Sequence, residues 1–182
     1  IRSPKDAVRY GIGYLSEDRK RYGLCLNLSV ADNTVLPSLE QIFKGPFVHD
    51  KKAQRLAQEY AEQIRTKTPS VRARVGSLSG GNQQKVVIAR ALSTNPKVVI
   101  LDEPTRGIDA AARGDVYNII RQLKDAGVAV LMVSSDMEEV VELADRAVTV
   151  FQGRINGEFS REEITQDALT SASFGIAHER KV

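Results

Sequence analysis

Two short stretches of the sequence carry residue types that suit phosphate and metal chemistry. The first, "SLSGGNQQK", places two adjacent glycines, Gly80 and Gly81, at the predicted start of a helix. Backbone N–H groups at such a start suit a phosphate, and glycine permits its close approach. The second, "KVVILDEPT", brings Asp102 and Glu103 to the end of an apolar run. There an aspartate suits Mg²⁺, and a glutamate suits polarisation of the water that attacks a phosphate.

The glycine-rich stretch comes close to a P-loop without completing one. Gly76 and Gly81 have the spacing of its G-x-x-x-x-G half, but Asn82 and Gln83 stand where its Lys and Ser/Thr belong. No complete G-x-x-x-x-G-K-[ST] occurs in the sequence. The residues alone leave open whose phosphate the stretch would hold.

The hydrophobic pattern predicts that an α/β fold positions both stretches. "KVVIL" and "VAVLMVS" are predicted to be buried strands of a largely parallel sheet, and "GIGYL" a shorter strand. "RAVTVF" and "RINGEF" predict a hairpin that turns at Gln152 and Gly153. Helices are predicted over 51–67, 80–93, 110–126, 136–144 and 160–172. Pro69 is expected to end the first of these, and Ser160 with Glu163 has capping-box spacing at the start of the last.

The predicted elements divide one incomplete domain, 1–182, into three parts. Residues 18–95 contain predicted helices but no convincing strand, so we expect them to form a helical subdomain inserted into the sheet. Residues 1–17 and 96–157 are assigned to the core sheet and its helices. Residues 158–182 are assigned to a C-terminal helix and tail.

Composition excludes several classes of protein. The 182 residues are enough for one domain with a substantial core, and no apolar run approaches the roughly 20 residues of a membrane span. A net charge of +3 is too small to indicate a nucleic-acid partner. The single cysteine, Cys25, cannot form an internal disulfide, and His49 and His178 lack metal-ligand spacing.

The order and spacing of the motifs resemble the nucleotide-binding domains of ABC transporters. "LSGGN" is similar to their signature motif, "VVILDE" to their Walker B motif and "RGID" to their D-loop. Nearly the whole chain, including "YLSEDRKRYGL" and "NQQKVVIARAL", is similar to the C-terminal domain of the tandem ATPases that drive bacterial import of sugars such as ribose, galactosides, xylose and arabinose. The resemblance implies a RecA-like P-loop NTPase core, with the signature carried by the inserted helical subdomain.

The resemblance also implies roles for individual residues. Asp102 would hold Mg²⁺, Asp102 and Glu103 would bind Mg²⁺ and ATP, and Glu103 would be the catalytic residue. The signature residues would bind ATP held by another domain; these are Leu78, Ser79, Gly80, Gly81 and Asn82. Asn82 replaces the commoner glutamine but is usual in the sugar-import group. Gly107, Ile108 and Asp109 would form the D-loop.

Three departures from the family pattern make one nucleotide site degenerate. The Walker A motif is missing, and the family places it upstream of the position of Ile1, so the sequence is interpreted as a piece of a longer polypeptide. Glu17 replaces the Q-loop glutamine; it could still ligate Mg²⁺ but adds charge beside the nucleotide. Asp136 replaces the switch histidine, and a carboxylate ~4 Å from a phosphate charge repels it by roughly 4 kcal/mol. We favour Asp136 as a helix N-cap.

The sequence is thus identified as the C-terminal half of an ABC-type ATPase that couples ATP hydrolysis to sugar import. Its expected partners are a second or N-terminal ABC ATPase domain, transmembrane permease subunits and, indirectly, a periplasmic sugar-binding protein. Its expected location is the cytoplasmic face of the inner membrane. The alternative is a non-catalytic module that supplies the signature to a site on another domain. A soluble ABC ATPase acting on DNA or ribosomes is disfavoured, because the sequence has no long coiled-coil or basic segment.

Overall fold

The computed structural model describes residues 1–42 and 50–176, and these form two compact units, Ile1–Val133 and the residues from Ser134 onward. His49 and His178 lie outside the described residues. The first unit contains α1 (Pro4–Arg9), β1 (Ile12–Leu15), α2 (Val30–Val35), α3 (Leu39–Ile42), α4 (Asp50–Gln63), α5 (Gly80–Leu92), β2 (Val98–Asp102), α6 (Ala110–Asp125) and β3 (Ala129–Val133). The second contains α7 (Met137–Leu143), β4 (Arg146–Phe151), β5 (Arg154–Ser160) and α8 (Gln166–Ser173). None of the described helices is long and apolar enough to cross a membrane.

The sheet of the first unit is parallel, as predicted, with the strand order β1-β2-β3. β2 lies in the middle, and alternate residues such as Val99 and Leu101 are buried. The prediction that β3 is buried is wrong, because Leu131 and Val133 are 56% and 51% exposed. Among the described strands, β3 pairs only with β2, so its other edge has no neighbouring strand. Its continuous apolar run is therefore not a sign of burial.

Residues 18–95 are largely helical in the part that the structure describes. Besides α2 to α5, this stretch holds a π-helical turn at Arg19–Gly23 and short 3-10 turns at Leu36–Ser38 and Val75–Ser77. α5 is buried along most of its length, and Val86, Ala89 and Leu92 pack in the core. The helix that carries the glycine pair is therefore fixed on most sides.

The helix predicted over 51–67 ends earlier, at Gln63, and not at Pro69. Arg65 takes a left-handed conformation with φ 53°, and the N–H of Thr66 donates to the carbonyl of Ala61. This hydrogen bond from beyond the helix closes the last turn and stops it. The buried Lys85 side chain donates to the Arg65 carbonyl at 2.9 Å and so holds this end on α5.

The second unit has its own small core and confirms the predicted hairpin. β4 and β5 are antiparallel, and Gln152 and Gly153 both have positive φ, as a tight hairpin turn requires. Phe159 and Leu169 are fully buried in this core. The helix predicted from residue 160 is wrong in its start: the Ser160 amide does donate to Glu163, but this box caps only a 3-10 turn, and α8 begins at Gln166.

Candidate functional site

The carboxyl end of β2 presents Asp102 and Glu103 at the edge of the parallel sheet. Asp102 is half-buried and accepts a hydrogen bond from the hydroxyl of Tyr14, at 3.0 Å, from the neighbouring strand β1. Glu103 has φ +48°, a left-handed conformation that is uncommon for a residue with a side chain. Its N–H donates to the carbonyl of Val133 at 2.9 Å, which extends the pairing with β3 by one step. Strained backbone of this kind concentrates at functional sites.

Tyr14 is a hydrogen-bond partner of Asp102, the candidate metal ligand. The sequence patterns gave no indication of this role for Tyr14. Partial burial, the hydrogen bond to Asp102 and the negative charge of Asp102 raise the pKa of the Tyr14 hydroxyl above its ordinary value. The phenol therefore stays protonated and remains a donor at neutral pH. One oxygen of Asp102 is fixed by this bond, and the carboxylate keeps its remaining acceptor capacity.

The donors present fit Mg²⁺ bound together with a nucleotide rather than in a protein cage. Mg²⁺ is usually held by one or two carboxylates, while water and substrate phosphates supply its other ligands. Asp102, at the strand end and half-buried, offers a carboxylate of this kind. No group of three or more His, Cys, Asp or Glu in the described part of the chain is arranged to hold a metal.

The predicted signature residues lie at the start of α5, as the sequence indicates. Ser79 is the N-cap, but its hydroxyl makes no capping hydrogen bond to the helix. The side-chain amide of Asn82 donates to the Ser79 hydroxyl oxygen at 2.9 Å and accepts from the backbone N–H of Lys67 at 2.8 Å. The carbonyl of Leu78 accepts from the Gln83 side chain at 3.1 Å. Because Ser79 receives a hydrogen bond from Asn82, its own O–H proton is left to donate elsewhere.

Gly80 and Gly81 lie where packing within this chain leaves little room for a side chain. A Cβ atom on Gly81 would collide with the Cβ of Ala112 in α6. A Cβ atom on Gly80 would lie 3.0 Å from Nη2 of Arg19 and 3.4 Å from the carbonyl oxygen of Gly107. From the sequence alone, close approach of a phosphate accounts for both glycines. The structure adds a second reason that no spacing rule reveals, because both contacts come from residues distant in sequence.

The loop after β2 contacts the start of α5. Gly107 has φ +67°, which favours glycine, and its carbonyl lies beside Gly80. Asp109 accepts from the N–H of Ala112 at 2.9 Å and is the N-cap of α6. The N–H of Ile108 donates to the carbonyl of Thr105 at 3.4 Å. The stretches "LSGGN" and "RGID" therefore meet where Gly107 lies beside Gly80.

Glu17 is paired with a cation of the same loop. Its carboxylate forms an ion pair with the guanidinium of Arg106, and both side chains are partly exposed. Arg19, two residues on, donates to the carbonyl oxygens of Arg106 at 2.8 Å and Gly107 at 3.1 Å. The contacts of Arg19 could not be expected from the sequence, because a basic run such as 19–21 is most often solvated.

Comparison with known families shows to which family this chain belongs. Residues 2–106, more than half of the chain, match the sequence model described as ABC transporter. The chain belongs to the ABC transporter family. The core sheet, the inserted helices and the motif order of an ABC ATPase domain agree with this membership.

Curated relatives of this ABC transporter chain include ATP-binding proteins of sugar import. The xylose import ATP-binding protein XylG of Thermoanaerobacter pseudethanolicus is 45% identical over 175 residues, which cover 96% of this chain and 35% of the relative. A Geobacillus kaustophilus protein, provisionally named a ribose/galactose/methyl galactoside import ATP-binding protein, is 46% identical over 181 residues, or 100% of this chain and 36% of the relative. The chain thus spans about a third of the length of these relatives.

Solved ABC cassettes share the fold. The ATP-binding cassette MJ0796, in a dimeric post-hydrolysis state bound to ADP and Pi, has a TM-score of 0.70 and 25% identity, covering 84% of this chain and 64% of the cassette. The MJ1267 cassette in its ADP conformation has a TM-score of 0.73 and 24% identity, covering 96% of this chain and 72% of the cassette. The α/β fold class predicted from the sequence is confirmed.

Asp136 caps a helix. Its carboxylate accepts from the backbone N–H groups of Glu138, at 3.0 Å, and Glu139, at 3.4 Å, at the start of α7. The favoured interpretation of Asp136 as an N-cap is confirmed. This bonding directs carboxylate oxygen at helix N–H groups, an arrangement that satisfies the helix terminus.

Proposed function

We propose that this chain is part of an ATP-hydrolysing ABC protein of sugar import and contributes the signature face of a nucleotide site completed by another domain. The observation that carries the proposal is the start of α5, where Asn82 holds Ser79 in a donor-ready state beside Gly80. Similarity to import ATP-binding proteins supports the sugar-import setting. The proposed cofactors are ATP and Mg²⁺.

The residues of the chain divide the chemistry between two faces. On the signature face, Ser79 donates its hydroxyl proton to a γ-phosphate oxygen, and the N–H groups before the first intrahelical bond, from Gln83 to Ser79, add positive potential. At the end of β2, Asp102 is the ligand for Mg²⁺, which supplies charge neutralisation of the phosphates when bound. Glu103 polarises and orients the attacking water.

Partners follow from this division. A signature face contacts a nucleotide that another domain holds, so we propose a second ABC ATPase domain as the source of the phosphate loop. Permease subunits in the membrane would couple hydrolysis to transport, and a periplasmic sugar-binding protein would deliver the sugar to them. The proposed location is the cytoplasmic face of the inner membrane, where such an ATPase would be a peripheral component.

A second candidate is a partner module that supplies the signature and hydrolyses nothing at its own β2 end. The pairing of Glu17 with Arg106 favours it. In that case Asp102 and Glu103 keep a structural role through Tyr14 and Val133. The two candidates differ in which residue of this chain limits ATP turnover.

A chimera distinguishes them. The matching 175 residues of the Thermoanaerobacter xylose import protein are replaced by this chain, and steady-state ATP hydrolysis is measured. Ser79→Arg blocks the signature face, and Glu103→Gln removes the carboxylate at the end of β2. Glu138→Gln, an exposed carboxylate on α7, is the matched control for the second change.

The two candidate functions predict different effects of these substitutions on ATP turnover. Loss of turnover in Ser79→Arg with most activity kept in Glu103→Gln supports the signature face as the working contribution of this chain. Strong loss in Glu103→Gln with turnover kept in Ser79→Arg contradicts that scheme and favours a site at the end of β2. A folded chimera without any ATP hydrolysis contradicts the proposed function.

A further inference from the structure

One side chain, that of Arg19, joins three segments that lie far apart in the sequence. Its Nη1 donates to the carbonyl of Arg106 at 2.8 Å, and its Nη2 donates to the carbonyl of Gly107 at 3.1 Å. The same guanidinium lies against Gly80, where an added Cβ would be only 3.0 Å from Nη2. Two charge-assisted hydrogen bonds from one planar fork fix orientation as well as distance.

The segment that carries Arg19 is itself anchored at both ends. Asp18 accepts from the N–H groups of Lys20 and Arg21 and caps the π-helical turn. At the other end, the Gly23 carbonyl accepts from Arg90 of α5 at 2.8 Å. π-helical turns are rare and occur often at functional sites. Arg19 therefore extends from a fixed base, which makes its reach to the loop reproducible.

Glu17 holds the same loop by a second route, through the Arg106 side chain. The backbone of Arg106 is bound by Arg19 while its guanidinium is bound by Glu17. The two contacts fix both the position and the side-chain direction of this residue. Glu17 thus has a partner inside the chain that accounts for a carboxylate at this position.

We propose that Arg19 is a positioning residue, which holds the loop of Arg106–Asp109 against the first turn of α5 so that the two move as one surface. Glu17 reinforces this connection by pairing with Arg106. The connection between the loop and α5 is supported by contacts within the chain. Its effect on ATP turnover rests on the proposed function, because it acts by orienting Gly80 and Gly107 at the shared site.

The connection is tested first in the chain alone, by amide hydrogen exchange. Arg19→Lys keeps the positive charge but cannot bridge two carbonyls, so we expect the N–H groups of Arg106 and Ile108 to exchange about tenfold faster. Arg21→Lys is the matched control, since Arg21 belongs to the same turn and stacks over Tyr22. Unchanged exchange in Arg19→Lys, with the fold intact, overturns the proposal. Equal acceleration in both variants also overturns it.

The second measurement uses the chimera with the xylose import protein. We expect Arg19→Lys to lower kcat roughly five- to twentyfold while KM for ATP stays within about twofold, because the nucleotide is held mainly by the other domain. Glu17→Gln should lower kcat less, since it leaves both Arg19 hydrogen bonds in place. Activity equal to that of the unmodified chimera contradicts the positioning role. An unmodified chimera that hydrolyses no ATP contradicts the proposed function and leaves the exchange result to decide on the connection.

Discussion

At the scale of single residues, the direction of a hydrogen bond carries the functional argument. Asn82 donates to Ser79 and receives from the backbone of Lys67, so its amide is oriented at both ends. A glutamine or asparagine can act in this way because one side chain holds both a donor and an acceptor. The hydroxyl proton of Ser79 is then directed away from Asn82.

Asn82→Asp tests this orientation. The introduced carboxylate still accepts from Lys67 but cannot donate, so Ser79 turns to donate to it and loses its proton for a phosphate. We expect ATP turnover of the chimera to fall at least tenfold, about 1.4 kcal/mol in the barrier, with added charge repulsion contributing. Asn82→Gln, which keeps a donor, is the control. Full turnover in Asn82→Asp, or equal losses in both variants, would show that the hydrogen bond does not orient Ser79.

At the scale of elements, the packing of α5 against α6 decides where the functional surface lies. Gly81 faces Ala112, and the buried Lys85 forms an ion pair with Asp115 at 2.7 Å. The side-chain amide of Gln84 donates to the carbonyl of Pro104, at 2.6 Å, in the turn after Glu103. α5 therefore contacts both α6 and the turn that follows β2.

Gly81→Ala measures how closely the two helices approach. The new methyl group collides with Ala112, so we expect unfolding to become easier by about 1–3 kcal/mol in chemical denaturation. The double variant with Ala112→Gly removes the collision and should regain much of that loss, less about 1 kcal/mol for glycine within a helix. Additive losses in the double variant would refute the close approach.

The Lys85–Asp115 pair should respond asymmetrically to substitution. The Lys85 side chain is 3% exposed, whereas that of Asp115 is 45% exposed. Asp115→Asn takes the carboxylate away from a buried ammonium, so we expect a loss of about 2–3 kcal/mol, while Lys85→Met leaves a carboxylate that water can solvate and costs about 1 kcal/mol. Denaturant melts of the two variants would show which one loses more stability. The control is Glu59→Gln, from the exposed pair with Arg55, for which we expect a change in unfolding free energy near zero. Equal losses contradict it.

The sequence predicts local features of this fold better than contacts over long separation. The start of α5, the strand ending at Asp102 and the hairpin turn at Gln152 follow from glycine, apolar runs and turn chemistry, which act over a few residues. The exposure of Leu131 does not, because burial of a strand depends on which neighbours cover it. Helix α2 was also missed. Its Ser29 cap and buried Asn33 are polar residues that composition assigns to a loop.

The candidate site shows the same limit. Glu103 and Ser79 were found from motif spacing, whereas Tyr14, Arg19 and Ala112 act on the site from 30 to 90 residues away. Their contribution depends on the parallel register of β1 with β2 and on the packing of α5, neither of which a local pattern encodes. A basic run such as 19–21 gives no sign of the contacts that Arg19 makes, because most such runs are solvated.

At the scale of the whole molecule, the described chain leaves an apolar strand at the edge of its main sheet. β3 pairs with β2 only, and Leu131 and Val133 are exposed on it. An exposed, apolar edge strand offers unpaired backbone groups to another chain and is a site of self-association. We therefore expect this chain, studied alone, to associate as its concentration rises.

Leu131→Lys should suppress that association, because charge on an edge strand opposes strand pairing between copies. Sedimentation velocity over a concentration series should show a smaller weight-average mass for this variant, with a melting temperature close to that of the unmodified chain, since Leu131 is more than half exposed. Leu28→Lys is the control, as Leu28 is also an exposed leucine but lies outside both sheets. If both substitutions suppress association equally, general surface hydrophobicity is the cause. If neither does, the edge of β3 is not the contact, and association must use another surface of the chain.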